Sequence, residues 1–229
     1  MKEVKSIFDV IGPIMIGPSS SHTAGAARLG KIARYSAHKD IKKVKVFLYG
    51  SFAETGEGHG TKKAIAAGLL GMEPHDERLR DSLKLIKKEN IEIKFINKDI
   101  QTSHPNTAKF AIEKSDGSTI SLTGSSIGGG AVVVNNINGF EVEITGEYYT
   151  IITKHRDVKG TIGRITTFLA KENINIANMK VIRDRNKKEA SMIIETDQVV
   201  EEKAVNEIKE MDNMIDVVII RPVKENKNV

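Results

Sequence analysis

Residues 17–25, GPSSSHTAG, separate an apolar run, Ile11 to Ile16, from a segment in which Ala26, Leu29, Ile32 and Ala33 recur at spacings of three and four. That spacing is helical, so the polar stretch reads as a loop opening a helix over Thr23–Ser36. The first turn of such a helix has free backbone N–H groups and a partial positive charge, and it can hold a carboxylate or phosphate. His22 adds the side chain whose ordinary titration lies near neutrality, which suits proton transfer. A second reading stands beside this one: Ser21 or Thr23 only caps the helix, with His22 solvated next to it.

Beyond that helix, Val44, Val46 and Leu48 alternate with Lys45 and Phe47, a strand pattern ending at Gly50. Gly56, Gly58 and Gly60 mark a loop, Thr61 is the expected cap of a helix across Ala64–Leu70, and Gly71 closes it. A further helix is predicted after Pro74, with Asp76 and Glu77 in its first turn, Leu79, Leu83 and Ile86 as its buried stripe, and Asn90 as its stop. Ile91–Ile96 alternates as a strand, and Pro105 breaks the polar loop Gln101–Thr107. Three β-prone runs follow: Lys109–Lys114, Thr119–Thr123 and Ala131–Ile137. Asp116 and Gly117 form a turn between the first two, Gly128–Gly130 an elbow before the third, and Phe140–Ile144 adds one more strand. Helices early and an antiparallel sheet late make this part an α+β domain, placed at 1–146.

From Gly146 the pattern changes. YYTIIT reads as a strand, VKGTIGRITTFLAKEN as a helix with Ile162, Ile165, Phe168 and Leu169 on one face, and IANMKVI and ASMIIET as two strands around a charged turn. A second helix buries Val205, Ile208 and Met211, and VVIIRPV is the last strand. The order βαββαβ is the split, ferredoxin-like arrangement, placed at 147–223 with a frayed polar tail at 224–229.

Composition narrows the function. The 229 residues include no cysteine, which excludes disulfides, a thiolate zinc site, a cysteine nucleophile and any thiolate-ligated iron–sulfur cluster held by this chain alone. No metal site of the chain's own is expected. The net charge of +5 is spread over lysine pairs interleaved with acids, and tryptophan is absent. Nucleic-acid binding is therefore not expected. No apolar segment reaches the about 20 residues of a membrane span, and the N-terminus lacks the pattern of a signal peptide. A cytoplasmic protein without membrane contact is the expectation. The GxSxG elbow of serine hydrolases is missing, and adjacent Ser21 and His22 are badly placed to form a nucleophile–base pair. The loop also lacks the Gly-Lys-Ser/Thr ending of a phosphate-binding loop.

Asp157, Gly160, Ile162 and Ile165, followed by Asn175, Ile176 and Asn178, resemble the ACT domain, a regulatory module that commonly binds amino acids between two copies. Lys159 stands where many ACT domains carry proline. The resemblance implies an amino-acid site at Asp157, Gly160, Asn175 and Asn178 and a homodimer formed through this domain. The other reading of the same residues is a tight turn in a domain that only dimerises.

SIFDVIGPIMIGPSSSHTAGAARLG, GHGTKKAIAAGLLG and SHPNT together resemble the β chain of the bacterial iron–sulfur-dependent L-serine dehydratases. The resemblance implies a lyase that converts L-serine to pyruvate and ammonia, with a four-iron four-sulfur cluster on the cysteines of a separate α chain. It places the loop of His22 at the active site. His22 is then the expected base or proton relay and Ser20, Ser21 and Thr23 the donors to the substrate carboxylate. His59, flanked by glycines, is a second catalytic candidate, and Asn106 and Thr107 line the pocket. His104 in SHPNT ranks below His59 as a candidate, and the other reading of either is a loop histidine bonded to the local backbone; His38, His75 and His155 carry no assigned role. The rival from another class is a stand-alone amino-acid sensor, read out by its ACT pair without catalysis.

Overall fold

The computed structural model describes residues 13–100, 102–184 and 186–223. The chain divides into two compact units, the first closing at Thr145 and the second beginning at Gly146. The expected tail at 224–229 lies outside the described residues, as does the start of the apolar run Ile11–Ile16.

In the first unit, the alternation of valine and leucine with lysine builds β1 (Lys43–Tyr49), whose Val44, Val46 and Leu48 are fully buried. β2 (Glu92–Lys98), β3 (Thr107–Glu113), β4 (Thr119–Gly128), β5 (Ala131–Ile137) and β6 (Phe140–Ile144) complete one sheet in the order β2-β1-β3-β4-β5-β6. The α+β expectation holds, and one pairing differs from it: β1 and β2 run parallel, with Val46 opposite Phe95. Every other neighbour pair is antiparallel. β4 continues through Gly128 rather than stopping at Thr123, because Ser125 and Ser126 pair with Val133 and Val132 of β5.

Among the described residues four helices accompany this sheet: α1 (Ala26–Ser36), the short α2 (Ser51–Glu54), α3 (Thr61–Leu69) and α4 (Ser82–Lys88). Leu29, Ile32 and Ala33 of α1 and Ile65 and Leu69 of α3 are fully buried. Gly60, in the left-handed region at φ 73°, caps α3, so Thr61 is its first helical residue and not its cap. The helix predicted after Pro74 is split. Asp76 accepts from the Arg78 N–H at 2.9 Å and opens a 3-10 turn, Glu77–Asp81, and α4 starts at Ser82, whose hydroxyl donates to the Lys63 carbonyl at 2.7 Å. Leu79 and Ile86 are buried and Leu83 is half-buried. Asn90, at φ 57°, ends the segment in the left-handed conformation that asparagine tolerates.

The second unit runs β7 (Tyr149–Arg156), α5 (Thr161–Lys171), β8 (Ile176–Asp184), β9 (Glu189–Thr196), α6 (Glu202–Lys209) and β10 (Met214–Ile220). Its sheet order is β10-β7-β9-β8, all antiparallel, the topology expected of βαββαβ. Ile165 and Leu169 of α5 and Ile208 of α6 pack with Ile151, Met192, Ile194 and Val217 of the sheet. Each such fully buried side chain contributes about 1.5–3 kcal/mol. Ile162 does not join them. Thr161, Ile165 and Leu169 form the inward stripe at spacing four, which turns Ile162 outward at 42% exposure. Among the described residues, no helix is long and apolar enough to cross a membrane.

Candidate functional site

The loop that opens α1 is wound more widely than an α-helix. Ser19, extended at φ −141°, accepts the His22 N–H on its Oγ at 3.2 Å and the Thr23 N–H on its carbonyl at 2.8 Å, and Ser20–Gly25 form a π turn that runs into α1. Two glycines let this turn sit close to its neighbours: a Cβ at Gly17 would lie 2.2 Å from Thr23 Oγ1, and one at Gly25 would lie 2.0 Å from Ser126 Oγ. The Ile16 N–H anchors the approach of the chain on the Pro74 carbonyl at 2.8 Å.

A second loop arrives from the end of β1. Gly50 takes φ 49° against Pro105, and α2 follows. His22 Nε2 is 3.2 Å from Ser51 Oγ, 3.3 Å from the Ser51 carbonyl oxygen and 3.1 Å from Thr55 Oγ1. Its ring meets Phe52 edge-on, with centroids 5.2 Å apart, and lies 4.8 Å from the ring of His59. The sequence signal thus joins two histidines 37 positions apart in one cluster. They differ in access: His22 is 8% exposed, whereas His59 is half-buried. Burial holds the His22 imidazole below its ordinary value, an effect reinforced by neighbouring His59 and partly opposed by the Ser51 carbonyl. His59 Nδ1 donates to the Thr55 carbonyl at 2.9 Å, because that oxygen can only accept. In the neutral ring that bond leaves the lone pair on Nε2 of His59, which no hydrogen bond engages among the described residues.

The third loop is folded around one carbonyl. The hydroxyls of Thr102 and Thr107 donate to the His104 oxygen at 2.7 and 2.6 Å, and the Asn106 N–H donates to His104 Nδ1 at 3.2 Å. Burial lowers the His104 imidazole as well. The Asn106 carbonyl accepts the Ser126 N–H at 2.9 Å, so the residue beneath Gly25 ties this loop to the π turn. Arg28, 4% exposed, donates through Nη1 to the Gly130 carbonyl at 2.5 Å and fixes the glycine elbow beyond Ser126.

These contacts sort the expected site residues. His22 and His59 are together, and Ser20 and Ser21 are half-buried on the same turn as His22. Thr23 is 1% exposed with its hydroxyl enclosed behind Gly17, and it presents nothing to a ligand at the open side of the turn. Thr107 spends its hydroxyl on the His104 carbonyl and on Ser125 Oγ, 2.8 Å away, which shapes the loop. Asn106 keeps a buried Oδ1 without a partner among the described residues, as do Thr61 Oγ1 and Ser126 Oγ. Sequence reasoning missed Ser51, Thr55 and Ser126. No spacing marks them, although Thr55 sits in the glycine-rich loop that carries His59.

In the second unit, Gly160 caps α5 at φ 88°, and Asp157 pairs with Arg183 at 2.7 Å. Asn175 bonds Asp197 at 2.6 Å, and Asn178 bonds Glu195 at 3.2 Å. The four expected ligand residues are not gathered in one copy. Asp157 and Gly160 follow the end of β7 that pairs with Glu189, while Asn175 and Asn178 flank the end of β8 that pairs with Thr196. Along β9 those ends are separated by roughly 20 Å at the usual strand rise. His155, left without a role above, is 2% exposed and 3.3 Å from Thr153 Oγ1.

The family model for the serine dehydratase beta chain matches residues 6–137, and that for the ACT domain matches residues 149–213. The "Probable L-serine dehydratase, beta chain" of Bacillus subtilis (strain 168) is 43% identical over 93% of this chain and 96% of its own length. The "L-serine dehydratase, beta chain" of Peptoniphilus asaccharolyticus is 37% identical over 84% of this chain and 87% of its own length. The "L-serine dehydratase" of Streptomyces coelicolor (strain ATCC BAA-471 / A3(2) / M145) is 34% identical, and there the match takes up 33% of a longer protein. Both units, in the same order, are shared with the two beta chains, and the chain belongs to the serine dehydratase beta-chain family.

Proposed function

We propose that this chain is the β subunit of an L-serine dehydratase, active with an α chain that carries a four-iron four-sulfur cluster. The pairing of His22 with His59 beside a half-buried surface carries the reading: one ring is enclosed and braced, and the other offers a bare Nε2. His59 Nε2 takes the Cα proton of L-serine, and His22, 4.8 Å behind it, orients the ring. Ser20, Ser21 and the side-chain amide of Asn106 supply donors to the substrate carboxylate.

The cluster is assigned to the partner because this chain has no cysteine to supply its thiolate ligands. When bound by the partner, such a cluster supplies a Lewis acid for the departing hydroxyl group. Loss of the Cα proton and the hydroxide gives aminoacrylate, which tautomerises and hydrolyses to pyruvate and ammonia. The ACT unit regulates, with L-serine held between Asp157 and Gly160 of one copy and Asn175 and Asn178 of a second. A stand-alone sensor is disfavoured, because the two beta chains span both units under a dehydratase name.

Co-expression tests this. The chain alone is inactive on L-serine, and it yields pyruvate when combined with the cysteine-bearing α chain under anaerobic, iron-replete conditions. Full turnover by either chain alone refutes the proposal.

A further inference from the structure

Three oxygens surround His22 Nε2, and all come from one turn: Ser51 Oγ at 3.2 Å, the Ser51 carbonyl at 3.3 Å and Thr55 Oγ1 at 3.1 Å. There is one direction of bonding in which every one of these contacts can form. The carbonyl oxygen only accepts, so its contact is a hydrogen bond when the proton is on Nε2. Thr55 sends its own hydroxyl proton to the Ser51 carbonyl at 3.0 Å, which leaves its oxygen free to accept from Nε2–H. Ser51 Oγ lies 3.2 Å from Thr55 Oγ1 and can donate there. Every group is satisfied with Nε2 protonated, and Nδ1 then holds its lone pair beside Ser19 Oγ at 3.4 Å.

The spacing of four between Ser51 and Thr55 puts both hydroxyls on one side of the turn. The same Thr55 receives His59 Nδ1–H on its carbonyl. One short segment therefore sets the protonated nitrogen of both imidazoles.

We infer that Ser51 and Thr55 are positioning residues whose hydroxyl pair holds His22 as its Nε2–H tautomer and fixes the ring on which His59 rests. The inference rests on the reading of His22 and His59 as the proton-handling pair. Neither hydroxyl touches substrate in this role; both act through His22.

The test uses Thr55→Val and Ser51→Ala, singly and together, with Thr55→Ser as the conservative variant, all in the full chain. Long-range proton–nitrogen correlation spectra at neutral pH report the tautomer of each imidazole. The expected result is Nε2–H for His22 in the wild type and in Thr55→Ser, and a mixture of tautomers in the double variant. In the complex with the α chain, the double variant lowers kcat by about tenfold or more with KM within about threefold, and Thr55→Ser stays within about twofold of wild type. A wild-type His22 found as the Nδ1–H tautomer overturns the inference, as does a double variant with unchanged spectra and unchanged kcat. The spectra do not depend on catalysis. A shifted tautomer with unchanged turnover therefore overturns the catalytic reading of His22, while the bond assignment stands.

Discussion

A Cβ placed on Gly68 would lie 1.9 Å from the carbonyl oxygen of Ala27, so α3 and α1 touch backbone to backbone at this point. Gly30 answers from the other side, where a Cβ would meet the Ile65 carbonyl at 2.4 Å. The crossing matters for the site because His22 is carried by the turn that opens α1 and His59 by the loop that opens α3. Glycine at the contact lets the two helices approach until the rings at their entrances are 4.8 Å apart.

Gly68→Ala is therefore expected to separate the helices and loosen the histidine pair. Overpacking of this kind costs about 1–3 kcal/mol. Urea unfolding of the chain should show that loss, and the reconstituted enzyme should lose turnover beyond what the lower stability explains. Unchanged stability and unchanged kcat in Gly68→Ala contradict the role given to the crossing.

The two histidines should separate in kinetics. His59→Ala removes the proposed base, the more accessible of the two rings, and is expected to lower kcat of the complex by about 10²–10⁴-fold. His22→Ala leaves the base but removes the ring behind it, and a displaced base costs up to about 100-fold. The larger loss at position 22 would exchange the two roles.

Much of this fold was legible in the sequence. Ala131–Ile137 and Phe140–Ile144 begin and end where their alternation does, and βαββαβ follows from periodicity alone. The parallel pairing of β1 with β2 was not legible, since partner choice between strands 49 residues apart is decided by the packed helices and not by either strand's pattern. The site was half legible. A histidine in a loop before a helix announces itself, but Ser51, Thr55 and Ser126 acquire meaning only through contacts across 29, 33 and 101 positions. Thr23, chosen for its place beside His22, turned inward because the wide turn rotates it behind Gly17.

Three imidazoles make stability sensitive to acid. Burial lowers His22, His104 and His155 from an ordinary value of 6.5. The unfolded chain then binds protons below that value that the folded chain refuses, so their contribution is present above 6.5 and is lost as the pH falls through the lowered folded-state values. The urea midpoint is expected to fall between about pH 7 and about pH 5. His155→Gln, which removes the most enclosed of the three rings, should flatten that fall. An equally steep fall in the variant assigns the acid sensitivity to other groups.

The ACT residues make a prediction that depends on symmetry. Asp157 and Gly160 lie at one end of their sheet and Asn175 and Asn178 at the other, and β8, which carries Asn178, is the last strand of that sheet with Asn178 exposed. One amino acid cannot bridge about 20 Å, so a site using both pairs takes each from a different copy. Gly160→Val strains a position at φ 88°, and Asn178→Ala removes the amide; each variant alone should lose L-serine binding in calorimetry. A mixture of the two, dissociated and reassembled, contains mixed dimers with one intact composite site each, and about a quarter of the wild-type sites should return. If the four residues act within one copy, mixing restores none. If serine binds both single variants as it binds the wild type, the site lies elsewhere.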